Sequence, residues 1–172
     1  MPMSEQSRRD QSTPELSPVN SAAEASKVSA FLLGADCFDD QRFTPGEREQ
    51  LLALPQLSLQ DKHILCWYTE LQGEVVSAVI FNENEHRSGG YRLEYFGVHR
   101  TYRRRRLGQL LIEAMLQYCV ARNGRYIETF TCDLPAYGGA RRLFERNGFV
   151  QLCHLPDYYY PGEGKLLYMK RL

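Results

Sequence analysis

Apolar residues recur with the period of an amphipathic helix in one long segment of the chain. Between positions 107 and 119 they follow the i, i+3, i+4, i+7, i+8 spacing that gathers side chains on one helix face. Asn123 and Gly124 then predict the end of this helix. Thr44 followed by Pro45 predicts the start of an earlier helix, because Thr is a good N-cap and Pro suits the first turn. A short third helix is predicted over 137–146.

Six other segments are rich in β-branched and aromatic residues and predict strands. Two of them, 64–71 and 74–82, are separated only by a Gln-Gly turn, which favours a hairpin. The other four strands are predicted at 91–98, 125–131, 149–155 and 165–171, with a loop between the last two. Gly97 near the end of the third strand predicts a β-bulge. The order of helices and strands predicts an α+β fold, an α/β sandwich with a mixed sheet.

Residues 1–26 differ in composition from the rest of the chain. They contain six Ser, three Pro and no aromatic residue. Such a segment buries too little apolar surface to offset the entropy lost on ordering. We therefore expect a disordered tail over 1–26 and a single domain over 27–172.

The charge balance and the cysteines limit the classes of partner and site. Basic and acidic residues number 21 each, so the net charge is zero, which argues against nucleic acid or an anionic membrane as a default partner. No apolar run approaches the ~18 residues of a membrane-spanning helix, and the first eleven residues lack the apolar segment of a secretory signal. Five dispersed cysteines without a CxxC pair favour free thiols over a disulfide or zinc site. We expect a cytoplasmic protein without a metal.

The stretch 96–111, FGVHRTYRRRRLGQLL, holds four successive arginines between a predicted strand and a predicted helix. Unpaired N–H groups and a positive dipole at a helix start favour phosphate binding. Two alternatives are a solvated basic surface and a nucleic-acid patch, and the nearly neutral body disfavours the second. The P-loop pattern GxxxxGKS/T and the dinucleotide pattern GxGxxG are both absent from the sequence.

The same stretch resembles the pyrophosphate-binding motif of the GNAT superfamily of N-acetyltransferases. The family pattern is a Gln or Arg, two residues, a Gly, any residue, and a Gly or Ala. Arg103 takes the first place and Gly108 the last, while Arg106 replaces the middle Gly. A non-Gly residue at that place is expected to adopt a negative φ.

A second segment, ARRLFERNGF at 140–149, resembles the family's helix that ends in Gly-Phe before the next strand. The resemblance covers about 43–172, and the chain is distantly similar to ribosomal-protein alanine acetyltransferases. It implies the GNAT-like fold, a mixed and mostly antiparallel twisted sheet flanked by helices.

The resemblance also implies acetyl-CoA as the donor. Its pyrophosphate would lie on the backbone amides of 104–108, and its pantetheine arm would lie beside 96–98, where a bulge near Gly97 opens the sheet. The Val98 amide would face the thioester oxygen. The cofactor-binding residues implied in this way are Phe96, Gly97, Val98, Arg103, Arg104, Arg105, Arg106, Leu107 and Gly108.

For catalysis the resemblance points to Glu128 as the base, because a glutamate on the equivalent strand serves ribosomal-protein alanine acetyltransferases. Glu94 is the second candidate. Within the run 158–160, Tyr159 is the favoured residue to line the acceptor cleft or supply a proton. The alternatives are surface carboxylates for the two glutamates and simple aromatic packing for the tyrosines.

Two family positions are altered in this chain. Phe144 stands where the family has its general-acid Tyr, and Tyr137 stands where an Asn contacts the cofactor. The expected function is acetyl transfer by direct attack of a primary amine, on a small molecule or a peptide, in a monomer or homodimer. The alternative is a non-catalytic acyl-CoA-binding module, which the change at Phe144 favours.

Overall fold

The computed structural model describes residues 14–40 and 42–172, which form a seven-stranded mixed sheet with helices packed on both faces. The strands are β1 (Leu16–Pro18), β2 (Ile64–Leu71), β3 (Glu74–Glu83), β4 (Gly90–Val98), β5 (Tyr126–Cys132), β6 (Val150–Tyr160) and β7 (Glu163–Arg171). The helices are α1 (Ala22–Leu33), α2 (Pro45–Leu57), α3 (Leu107–Ala121) and α4 (Gly138–Arg146). The strand order is β1-β2-β3-β4-β5-β7-β6, and β4 and β5 are parallel while the other neighbours are antiparallel. The predicted α+β fold is confirmed.

The strand β3 separates two apolar cores. Val79 and Phe81 belong to the core under α3 and α4, whereas Ala78 and Ile80 belong to the core under α1 and α2. All four side chains are fully buried. Because β3 is covered on both faces, it holds its neighbour β4 firmly in the middle of the sheet.

The predicted start of α2 is confirmed in detail. The Thr44 side chain accepts a hydrogen bond from the Glu47 amide at 3.2 Å, and the Glu47 side chain accepts one from the Thr44 amide at 3.4 Å. This reciprocal pair is a capping box. The last hairpin differs from the prediction, since β6 continues through Pro156 and Asp157, which were expected in a loop. The register of β6 with β7 is irregular between Leu155 and Tyr160. Pro156 and Asp157 lie in this irregular part of the strand, and the strand continues past them.

The expected tail boundary at residue 26 is wrong for the part of the tail that the structure describes. Residues 16–18 pair with β2, and 22–33 form α1, whose cap is the Ser21 side chain. Val19 and Ala25 are buried in the core under α1 and α2. Small apolar residues provide this packing, and composition alone did not reveal it. Residues 1–13 of the expected tail lie outside the described part of the chain.

The bulge in β4 lies at Glu94 and not at Gly97 as predicted. Ile80 of β3 pairs with Tyr95 and Phe81 pairs with Leu93, so Glu94 is the extra residue between them. Gly97 is required for another reason: a Cβ atom at this position would collide with the buried Cys37 Sγ. The glycine therefore reflects a close approach of the α1–α2 connection to β4.

Candidate active site

The strands β4 and β5 lie side by side at one end and then separate. Their paired residues run from Gly90 with Tyr126 to Leu93 with Thr129. Beyond this point β4 stays with β3, and β5 stays with β7 as far as Cys132. The strands separate where Glu94 is inserted into β4. The gap between them opens into a cleft of about 830 Å³.

The cleft has two halves of opposite charge. We call the part at the start of α3 the basic half; it is lined by Arg104, Arg106, Arg142 and Arg146. We call the part beyond the bulge the acidic half. Its lining includes Arg42, which pairs with Glu163, together with four carboxylates and three tyrosines: Asp40, Glu47, Glu94, Glu163, Tyr95, Tyr137 and Tyr159.

Unpaired backbone amides surround the basic half. The backbone N–H groups of 104–109 donate no hydrogen bond of good geometry to another described residue. The first turn of α3 contains no acidic residue, and its N-cap, Arg106, makes no side-chain cap. Six successive free N–H groups at the positive end of a helix are suited to an anion such as a phosphate.

The arginine loop reaches this geometry through two left-handed residues. Arg104 has φ +64° and Arg106 has φ +65°, so the expectation of a negative φ at Arg106 is wrong. The family pattern has a Gly at this position, and a Gly adopts a left-handed φ readily. In this chain Arg106 adopts that conformation instead. That conformation carries a strain of about 1–3 kcal/mol per residue.

The four arginines of the loop do different things. Arg103 binds protein groups: its guanidinium donates to Asp39 at 2.8 and 2.9 Å and to the Cys37 carbonyl at 2.7 Å. Arg105 lies over the Tyr102 ring at 5.2 Å and does not line the cleft. Arg104 and Arg106 line the cleft and make no ion pair with another described residue.

The remaining predicted cofactor residues lie along the floor and rim of the gap. The backbone N–H of His99 donates a hydrogen bond to the Val76 carbonyl of β3 at 2.8 Å. Since alternate amides of an antiparallel strand point the same way, the Val98 amide points away from β3, toward the gap. Phe96 packs on Phe144 with ring centroids 5.5 Å apart. Of the helix residues, Leu107 is buried, and Gly108 lies beside Leu143 of α4.

The two predicted glutamates lie in different surroundings. Glu128 accepts from the Arg92 guanidinium at 2.6 and 2.7 Å and does not line the cleft. Glu94 does line it, and its Oε1 lies 3.0 Å from the Asn82 side-chain nitrogen and 3.9 Å from Arg92. Burial raises the pKa of Glu94 above its usual value, although the charge of Arg92 and the Asn82 hydrogen bond oppose this. Glu94 is therefore the better-placed proton acceptor.

Of the tyrosine run 158–160, Tyr159 lines the cleft. Burial, followed by the negative charge of Glu47, raises the pKa of Tyr159, so its phenol stays protonated at neutral pH. Burial also raises the pKa of Tyr137. Phe144 is almost wholly buried between the rings of Phe96, Phe149 and Tyr168. Its position in the core provides packing and no proton.

Sequence reasoning missed several cleft residues. Arg142 and Arg146 are one turn apart on α4 and line the same cleft as the arginine loop, and Glu47 and Glu163 come from α2 and β7. The i, i+4 spacing of the two arginines was a usable signal. No local sequence pattern indicated Glu47 or Glu163, because only the tertiary fold brings α2 and β7 together.

Two searches of the described residues for other features were negative. None of the helices described is both long and apolar enough to cross a membrane. Within 14–40 and 42–172, no group of three or more His, Cys, Asp and Glu side chains is arranged as metal ligands. The five cysteines are unpaired, and Cys153 alone among them is exposed. The expected absence of a metal stays a prediction.

Known structures share this fold at low sequence identity. A GNAT-family protein from Desulfovibrio desulfuricans is 19% identical, with a TM-score of 0.77 over 92% of this chain and 99% of that one. Ribosomal-protein-S18-alanine N-acetyltransferase from Escherichia coli is 16% identical, with a TM-score of 0.71 over 92% and 94%. An aminoglycoside 6′-N-acetyltransferase solved with coenzyme A is 14% identical, with a TM-score of 0.70 over 91% and 96%.

No curated protein sequence matches the chain significantly. A family profile does: residues 32–149, more than half of the chain, match the Acetyltransferase (GNAT) family. The match spans the bulged strand β4, the arginine loop and the start of α3, and it ends at Phe149 of the Gly-Phe signature. The sequence, the split sheet and the cleft agree, and the chain belongs to the GNAT acetyltransferase family.

Proposed function

We propose that the protein transfers an acetyl group from acetyl-CoA to a primary amine by direct attack of the amine on the thioester. One observation carries this proposal: a single cleft joins the free backbone amides at the start of α3 to a largely buried carboxylate, Glu94, and the Val98 amide between them faces the gap. Family membership supports the acetyl donor. The acceptor and the roles of individual residues are our inference.

The residues of the basic half fit the pyrophosphate of acetyl-CoA. The amides of 104–109 would hold it, with Arg104 and Arg106 adding charge. Arg103 acts instead as a structural link, since its donors bind Asp39 and Cys37. The pantetheine arm would lie along the open side of β4 at 96–98, where backbone groups are available for pairing.

Glu94 would serve as the base. A protonated alkylamine has a pKa of ~10.4, so at neutral pH the attacking nitrogen must first lose a proton. A carboxylate with a raised pKa, lining the cleft next to the open part of β4, can accept that proton directly or through a water. The Val98 amide would stabilise the negative charge that develops on the thioester oxygen.

Protonation of the departing thiolate is the less demanding step. A free thiol has a pKa of ~8.5, so CoA is a good leaving group even without a strong acid. Tyr159 or Tyr137, both protonated at neutral pH, could supply a proton. Phe144 therefore does not require the non-catalytic alternative.

The test is release of CoA from acetyl-CoA with a panel of primary amines, with the acetylated product identified by mass spectrometry. Amine-dependent CoA release is expected. Tight acetyl-CoA binding without any amine-dependent release would favour the acyl-CoA-binding module instead. The expectations of a cytoplasmic location, of no nucleic-acid or membrane partner and of a monomer or homodimer remain predictions.

A further inference from the structure

Glu47 is a carboxylate of the acidic half that has no positive partner among the described residues. It lines the cleft, and its hydrogen bonds are those of the capping box with Thr44. Its neighbour Glu163 differs, since Glu163 pairs with Arg42 at 2.5 Å. Burial raises the pKa of Glu47, and the negative charges of Glu163 and Asp40 raise it further. Uncompensated negative charge therefore accumulates at this end of the cleft.

Three aromatic side chains share this end of the cleft with Glu47. Tyr95, Tyr137 and Tyr159 all line it, and the charge of Glu47 contributes to the raised pKa of each phenol. The three phenols therefore line the same end of the cleft as this carboxylate, and their rings form part of its walls. A carboxylate beside aromatic faces is a favourable environment for an alkylammonium group.

A set of contacts bridges two segments beside the acidic half. Arg42, from the α1–α2 connection, pairs with Glu163 of β7 and lies over the Tyr160 ring at 4.6 Å. The Tyr160 hydroxyl donates to the Phe43 carbonyl at 3.4 Å. These contacts join the α1–α2 connection to the β6–β7 hairpin. A small molecule needs only the space inside the cleft of about 830 Å³, whereas a protein segment would also have to be accommodated beside this bridge.

We infer that the acceptor is a small amine carrying a second positive charge, and that Glu47 is the residue that selects it. One amine nitrogen attacks the thioester near Glu94 while the second, as an ammonium, is held by Glu47 among the three tyrosines. This inference rests on the proposed function, since it names the substrate class of the same cleft.

The experiment compares linear α,ω-diamines of three to eight carbons with the monoamines of equal chain length. The variant is Glu47→Gln, because Gln also completes a capping box and so preserves the start of α2. The control is Glu49→Gln on the same helix, since Glu49 is exposed and does not line the cleft. Each pair of amines differs by a single terminal charge.

Wild-type protein should prefer at least one diamine over its monoamine by roughly 10–100-fold in kcat/KM, the range for a hydrogen bond to a charged group. Glu47→Gln should remove most of that preference through KM, lowering kcat/KM for diamines far more than for the monoamines of equal length. Glu49→Gln should behave as wild type. Equal use of mono- and diamines by the wild type would overturn the inference while leaving the proposed function intact. Faster turnover of a peptide N-terminus than of every diamine would also overturn it.

Absence of turnover with every amine would instead contradict the proposed function. In that case, calorimetric titration of CoA-loaded protein with 1,5-diaminopentane still decides the inference. Binding by wild type that Glu47→Gln abolishes would support a dication site. No binding by wild type would overturn it.

Discussion

The two halves of the cleft are built from different parts of the polypeptide. The basic half combines backbone N–H groups from one continuous loop, 104–109, with arginine side chains, whereas the acidic half consists of side chains from α2, β4, β6, β7 and the connections before α2 and α4. Backbone amides tolerate changes of side chain, as Arg106 in place of a glycine illustrates. Side chains do not, so a single substitution can change what the acidic half accepts. We therefore expect donor binding to be robust and acceptor choice to be easily altered.

The largest effect is expected in the acidic half, from Glu94→Gln. Loss of a positioned base lowers the rate by about 10²–10⁴-fold at neutral pH. Because the base acts when deprotonated and burial raises its pKa, wild-type kcat/KM should rise with pH through that pKa. The variant should lose this pH-dependent rise in kcat/KM. Its difference in kcat/KM from wild type should shrink at high pH, where the amine deprotonates unaided. Steady-state kinetics from about pH 4 to 9 measure both effects.

Glu128→Gln is the matched control, since it removes the same charge from the neighbouring strand. Glu128 is held by Arg92 outside the cleft, so we expect a change of less than about tenfold. A larger loss in this variant than in Glu94→Gln would restore Glu128 as the base.

A smaller effect, of about 100-fold, is expected in the basic half from Gly108→Glu. The new carboxylate would stand beside the bound pyrophosphate, and close like charges cost several kcal/mol. Acetyl-CoA affinity measured by calorimetry should fall accordingly. Gly108→Ala adds the same Cβ atom, 3.2 Å from the flexible end of Leu143, without the charge. An equal loss of affinity in both variants would show that space, and not charge, is limiting.

Arg103→Met is expected to lower stability more than donor affinity. The substitution removes hydrogen bonds to Asp39 and to the Cys37 carbonyl, which should cost about 2 kcal/mol of unfolding free energy. Arg104→Met should show the opposite pattern, weaker donor binding with little change in stability. Chemical denaturation together with calorimetry separates the two, and a fully stable Arg103→Met protein would refute its role as a structural link.

The smallest effect is expected from Arg106→Gly. Glycine adopts a positive φ without strain, so the substitution should stabilise the protein by up to about 1 kcal/mol despite the lost arginine. Arg105 does not have a positive φ, and Arg105→Gly should therefore be destabilising. Thermal unfolding of the two variants tests this difference. A lower melting temperature for Arg106→Gly than for Arg105→Gly would contradict it.

The same contrast explains how much of the molecule could be predicted from the sequence. The arginine loop and α3 are continuous in the chain, and hydrophobic period plus helix-start chemistry predicted them well. The bulge was placed at Gly97 because glycine is its usual local signal, but the insertion is at Glu94. Position 97 is glycine because Cys37, sixty residues earlier, packs against it.

The acidic half could not be predicted because its members are distant in the chain. Glu47 and Glu163 meet only once α2 and β7 are folded onto the sheet, and no local pattern encodes that meeting. The family resemblance favours Glu128 over Glu94 because it indicates a position on a strand. It does not indicate which side chains surround that position. In the structure Arg92 pairs with Glu128, and this contact is the reason that we propose Glu94 as the base instead.

The short contact between β4 and β5 has a consequence for the protein as a whole. Four residue pairs join these two strands, so the sheet is two sub-sheets held together at one end. A molecule that pairs with β4 and fills the gap would extend that seam and tie the sub-sheets along their length. By mass action, a donor at 100 times its dissociation constant adds about 2.7 kcal/mol to the unfolding free energy. A donor bound in this way would thus act as a structural component, and the lifetime of the folded protein would follow the donor concentration.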